Sequence, residues 1–310
     1  MAFKDFSQLD TSGIESSGGG GFGGGRGLAV GGGLGGVVVM LVVGALFGQD
    51  GIDMLNQATG NNPGYGYEQV DNNAGQDLAQ QCKTGEDANS NSSCNMVGTS
   101  NSLDNFWSSY LPQATGVEYQ RPTLHLFSQR VRTACGNATS ATGPFYCPAD
   151  HKAYVDTTFF DDMKTQLGAT GGQSAEQYVL AHEYGHSIQN ILGDLKYSQR
   201  DPNGADSGAV RVELQADCYA GLWANHAAED TSSAVQLEPF TADEVNRIVN
   251  ATEVIGDDHI QMTSQGRTDP STYTHGTSAQ RTAWFMAGYE SGDINKCNTF
   301  RAADLDHPNA

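Results

Sequence analysis

Basic residues are scarce in this chain. Its 310 residues hold 16 Lys and Arg against 36 Asp and Glu, a formal net charge of −20. Such a surface repels a phosphate backbone, so the composition argues against a nucleic-acid partner. Paired CxxC motifs are missing, which excludes a zinc knuckle built from cysteines. There is no internal repeat, and only one long uncharged apolar run. What is abundant is glycine, 39 residues unevenly spread, a pattern of local low complexity rather than of a fibre. The hydrophobic fraction of 38% is enough for an ordinary core.

The run is residues 28–48, LAVGGGLGGVVVMLVVGALFG. At helical rise it spans roughly 30 Å, the thickness of a bilayer's hydrocarbon layer. It lies deep in the chain and is longer than a signal-peptide core, so it reads as an uncleaved signal anchor rather than a buried glycine-rich core segment. Arg26 precedes it while Asp50 and Asp53 follow, which orients the N-terminus to the cytoplasm and the rest outside. This divides the chain into a glycine-rich disordered tail at 1–27, a transmembrane anchor at 28–48, an Asn/Gly/Gln-rich linker at 49–74 and a folded domain at 75–310. Six cysteines (82, 94, 135, 147, 218 and 297) fit disulfides in such an extracytoplasmic domain, with Cys82–Cys94, Cys135–Cys147 and Cys218–Cys297 as the simplest connectivity. The alternative is six free thiols in a reducing compartment.

Within the domain, Thr123–Val131 and Ala153–Thr158 have the β-branched and aromatic content of strands. The Ser174-to-Gln177 spacing resembles a capping box opening a helix that ends at Gly193. Further helices are expected at Val210–Ala228, after a capping box at Thr241–Glu244, and at Ser278–Glu290. Helices outweigh strands and the two segregate along the chain, so the expected class is α+β, helix-rich with a small sheet.

The chemistry concentrates at His182-Glu183-Tyr184-Gly185-His186. Residues four apart share a helix face, so both imidazoles can reach one ion, with Glu183 beside it to take a proton from water. A third ligand six residues beyond His186 is excluded, because Leu192 stands there. Glu213 and Asp217 are again four apart, on a segment whose Ala216, Cys218, Ala220, Leu222 and Trp223 make it a buried helix rather than a solvated acidic face. Bare carboxylates in such a place are costly without a cation. Glu213 is therefore the expected third ligand of a Zn²⁺ ion, and Asp217 the acceptor for the second N–H of a ligating imidazole. His275 is the leading candidate to stabilise an oxyanion, with Arg281 and Tyr273 as alternatives. His125, His151, His226, His259 and His307 lack ligand-like spacing.

The segments Thr133–Gly136, Gly143–Pro148, His182–His186, Glu213–Asp217 and Thr274–Arg281 together resemble the bacterial neutral zinc metallopeptidases. That resemblance covers nearly the whole chain. It implies a single-pass membrane protein with a HExxH site, a peptide or protein substrate and a zincin-like domain. The layout is also similar to thermolysin-type gluzincins. This implies His182, His186 and Glu213 as ligands, Glu183 as base, Asp217 behind a ligand, and a loop insertion around Arg200–Asp206. By the same analogy, strand Ala153–Thr158 borders the substrate cleft; a core strand is the alternative. A membrane-tethered zinc-binding scaffold is the competing function, and a hydrolase acting on a non-peptide bond a third.

Overall fold

The computed structural model of the chain describes residues 1–17 and 72–308. The apolar run 28–48 and nearly all of the expected linker lie outside the described residues. Among those described, no helix is long and apolar enough to cross a membrane.

The described residues form six strands and ten α-helices. The strands are β1 (Ile14–Ser17), β2 (Thr123–Phe127), β3 (Arg130–Thr133), β4 (Gly136–Thr139), β5 (Phe145–Cys147) and β6 (Lys152–Asp156). The helices are α1 (Asn72–Gln81), α2 (Gly85–Ser90), α3 (Ser92–Thr115), α4 (Phe159–Gln166), α5 (Gln173–Leu192), α6 (Lys196–Arg200), α7 (Gly208–His226), α8 (Ala242–Val254), α9 (Asp257–Gln265) and α10 (Ser278–Ser291). The class is α+β and helix-rich, as the sequence implies. One sheet has the order β1-β2-β6-β5, with β1, β2 and β6 parallel and β5 antiparallel. The β3–β4 hairpin stands apart from it.

The packing corrects one expectation and decides one that was open between two readings. Residues 1–17 are not a disordered tail: Met1, Phe3 and Ser7 are buried, and β1 adds to the sheet edge beside β2. Enough apolar surface enters the core to offset the ordering entropy, a gain that the glycine-rich composition downstream had hidden. Secondly, β6 lies inside the sheet between β2 and β5, so it is the core strand of the two readings. The expected strand Thr123–Val131 is broken by a turn at Gln129, which adopts φ +69, leaving β2 and β3 on either side.

Helix boundaries follow their caps. Ser207 caps α7 through its side chain, and Thr241 and Thr277 form capping boxes with Glu244 and Gln280. The box expected at Ser174 is absent. The N-cap of α5 is Gly172, and Ser174 instead donates to the Glu244 carbonyl while Gln177 turns towards Met1 and Asn95. The long helix α3 carries Ser, Thr and Asn on positions that are buried, so apolar periodicity could not reveal it.

Helix α5 packs between the sheet and α7, and α7 packs in turn on α10. The contacts are backbone to backbone. A Cβ on Gly185 would sit 3.0 Å from the Cα and carbonyl oxygen of Ala216. One on Gly221 would meet the Phe285 carbonyl at 2.0 Å, and one on Gly288 the Cys218 carbonyl at 2.0 Å. The three disulfides are Cys82–Cys94, Cys135–Cys147 and Cys218–Cys297, and the last ties α7 to the C-terminal segment beside this close approach. Gly221→Ala and Gly288→Ala should each force the helices apart and cost about 1–3 kcal/mol. Denaturant unfolding of the purified protein measures this; an unchanged midpoint in both would contradict backbone contact.

Candidate metal centre

The α5–α7–α10 sandwich fixes the site. His182 and His186 lie one turn apart on α5 and Glu213 faces them from α7; all three are buried and their donor atoms lie within 4.8 Å of one another. The Nε2 atoms of His182 and His186 stand 3.2 and 3.5 Å from the two Glu213 oxygens. No other such group of three occurs among the described residues. Two imidazoles and one carboxylate form the donor set of a catalytic zinc site, which takes three protein ligands and keeps a fourth position open.

The surroundings fit an ion too. Glu183 is buried beside His182, and its Oε2 has no hydrogen-bond partner. Burial pushes its carboxyl up to about 7, against the pull of His182. A carboxyl poised near neutrality is suited to accept and return a proton. Burial alone would raise Glu213 as well, but His275 and the hydrogen-bonded His182 hold it well below the usual carboxylate range, so it remains an anion. His186 is depressed to about 4 by burial and is neutral at pH 7, the form that binds metal.

Each imidazole is held from behind. His186 Nδ1 lies 2.8 Å from Gln189 Oε1, and Gln189 is fixed by donating to the Val212 carbonyl at 2.6 Å and to Gln215 Oε1 at 3.0 Å. A Gln oxygen can only accept, so Nδ1 carries the proton and Nε2 faces Glu213 with its lone pair. His182 Nδ1 lies 2.8 Å from Asp217 Oδ1. Burial opposes a charge on His182, but Asp217 outweighs it and the imidazole rises to about 10.

Asp217 is itself the centre of a network. Tyr178 donates to its Oδ1 at 2.6 Å, Arg281 Nη2 to Oδ1 at 3.0 Å, and Arg281 Nε to Oδ2 at 2.9 Å. Asp217 and Arg281 are buried, and the forked pair is the charge-assisted geometry that stabilises most. Arg281 is thus committed to Asp217 and is not the oxyanion group that its position suggests. Tyr273 also turns elsewhere, with its hydroxyl beside Thr268. His275 is buried, with Nδ1 at 2.8 Å from Thr274 Oγ1 and 3.4 Å from Asp257 Oδ1. Asp257 Oδ2 accepts the backbone N–H groups of Thr274, His275 and Gly276 at 2.8, 2.7 and 3.0 Å, which fixes the loop. Burial would lower His275, but Glu213 and Asp257 raise it.

Sequence reasoning missed Tyr178, Gln189 and Asp257. Tyr178 and Gln189 lie four before His182 and three after His186, on the same helix face, so helical spacing could have found them. Asp257 is brought in by tertiary packing alone. The five remaining histidines that were set aside stay outside the site; His125, for example, bonds Ser17 and Glu15 at the sheet edge.

The family described as "Putative neutral zinc metallopeptidase" matches residues 9–300. The chain belongs to this family. "Uncharacterized protein Rv2575" of Mycobacterium tuberculosis is 49% identical over 234 residues, covering 74% of this chain and 78% of that protein. "Uncharacterized protein YpfJ" of Escherichia coli K12 is 45% identical over 190 residues, covering 60% of this chain and 63% of that protein. No solved structure matches. The family match reaches back to residue 9, within the packed N-terminal segment.

Removing the Asp217 carboxylate strands a buried guanidinium. Asp217→Ala should therefore destabilise the fold by about 3–5 kcal/mol. Gln189→Ala should fold but bind zinc about 10–100-fold more weakly, since the orientation of His186 is lost. Denaturant unfolding and competition with a chromophoric chelator read the two effects; native zinc affinity in Gln189→Ala would refute the role given to Gln189.

Proposed function

We propose that this protein is a zinc-dependent peptidase in which Glu183 is the general base. The observation that carries the reading is the orphaned Glu183 Oε2, buried next to a converged His182–His186–Glu213 set. A structural zinc site has four protein ligands and no need of a buried, unpartnered carboxylate beside it. That favours hydrolysis over a zinc-binding scaffold.

His182, His186 and Glu213 would hold the ion. When bound, zinc supplies Lewis acidity that brings a coordinated water's pKa to about 7 and polarises the scissile carbonyl. Glu183 takes the proton of the attacking water and returns it to the leaving amine, a shuttle that a carboxyl near pH 7 performs in both directions. His275, held by Thr274 and Asp257, donates to the developing oxyanion. Asp217 holds His182 so that its Nε2 faces the ion. The family supports a peptide or protein as substrate. The three disulfides support an oxidising compartment for the domain, and the apolar run 28–48 supports attachment to the cell membrane.

In assays with casein and with ester substrates, Glu183→Gln should retain one zinc per chain and lose hydrolysis by a factor of about 10² or more. Full activity in that variant would reject Glu183 as base, and hydrolysis of esters alone would redirect the reading to a non-peptide substrate. His182→Ala and Glu213→Ala should lose the metal; stoichiometric zinc in either one would overturn the ligand set.

A further inference from the structure

The first seventeen residues, extended except for turns at residues 5–6 and 12–13, lie in a groove of the domain. Three side-chain amides each grip one residue of the segment by both its N–H and its C=O. Asn89 does so at Phe3, at 2.8 Å for both bonds. Asn101 does so at Asp10, again at 2.8 Å for both. Gln177, on the metal-site helix α5, does so at Met1, at 3.0 and 2.8 Å. Backbone bonds from Lys4 and Gln8 to Gln236 and Ala234 line one wall, and those joining Leu9 to Lys83 and Gly85 to Ser7 line the other. At the far end β1 pairs with β2 in parallel register. There Glu15 meets His125 at 3.0 Å and Lys152 at 2.6 Å.

Two glycines mark the groove as built for this occupant. Gly98 stands inside α3, where glycine is disfavoured for its backbone entropy. A Cβ there would meet the Phe3 ring at 2.8 Å and Leu9 at 3.3 Å. A Cβ on Gly85 would meet the Lys4 carbonyl oxygen at 2.0 Å and carbon at 2.8 Å, and Phe3 Cβ at 3.1 Å. The three nearest atoms at each of these two positions all belong to the N-terminal segment. The body of the domain thus gives up side chains in two helices only where the segment passes.

We propose that residues 1–17 are an intramolecular strap, captured by strand addition and backbone-reading amides, that belongs to the catalytic domain. A geometric consequence follows for the membrane. A pairing between β1 and β2 requires both on one side of any bilayer, because no route through hydrocarbon exists for open strands. The N-terminus and the domain therefore share a side, in place of the cytoplasmic N-terminus and extracytoplasmic domain expected from the flanking charges, and attachment through residues 28–48 would not be a single crossing.

All six cysteines are in disulfides, so an introduced thiol is the sole target for a maleimide. Phe6 and Met262 are exposed at 64% and 54% and serve as reporters of the strap and the domain. Full-length Phe6→Cys and Met262→Cys would be labelled with an impermeant maleimide in right-side-out and inside-out vesicles. Reaction of both in the same orientation is expected; reaction in opposite orientations would overturn the proposal. Hydrogen exchange on the purified full chain gives a second readout. The Leu124 amide donates to the Gly13 carbonyl, and Gly98→Leu, which fills the Phe3 site, should speed its exchange by about tenfold or more. Phe3→Ala should act in the same direction without added bulk, and unchanged exchange in both variants would refute the strap. Neither readout depends on zinc or on hydrolysis.

Discussion

One carboxylate organises the centre of this molecule. Asp217, fully buried on α7, sits within hydrogen-bond reach of His182 and Tyr178 from α5 and of the forked guanidinium of Arg281 from α10. Its cost of burial is met only when all of these donors are present, so the three helices have one mutual arrangement in which it is satisfied. That arrangement also turns His182 towards His186 and Glu213. The glycine contacts of Gly185, Gly221 and Gly288 let the helix backbones come close enough for short side chains to reach across. Packing and chemistry are one constraint here.

The site's polar groups divide between two tasks. Gln189, Asp217 and Asp257 are satisfied and rigid, and each fixes a histidine or the loop that carries one. Glu183 is left with an unpartnered oxygen and a carboxyl near neutrality. Among the described residues this oxygen is one of the few buried polar atoms without a partner, and it lies beside the converged His182–His186–Glu213 set, which is what the proposed proton shuttle rests on.

Much of the centre was legible in the sequence because it is written in helical spacing. His182 with His186, and Glu213 with Asp217, each repeat at four residues, and the capping box at Thr241 announces its helix. What spacing cannot express stayed hidden. Asp257 reaches His275 across a loop, and Arg281 chooses Asp217 over the cleft through the close approach of α7 and α10. Helix α3 was invisible because Ser, Thr and Asn interrupt the apolar residues of its buried face, satisfied by partners far along the chain such as Tyr184 on Ser100. The strap was misread for a related reason: its anchoring residues, Met1, Phe3 and Ser7, are few, and a glycine-rich stretch follows directly.

The central claim is that two imidazoles and one carboxylate converge on a single ion with one position left for water. X-ray absorption at the zinc edge, on the metal-loaded full-length protein, tests it most directly. The account predicts one zinc per chain, bound by two imidazole nitrogens and by oxygen, with at least one oxygen exchangeable with solvent and no sulfur. A shell of four protein ligands without exchangeable oxygen, or sulfur scattering, would contradict it.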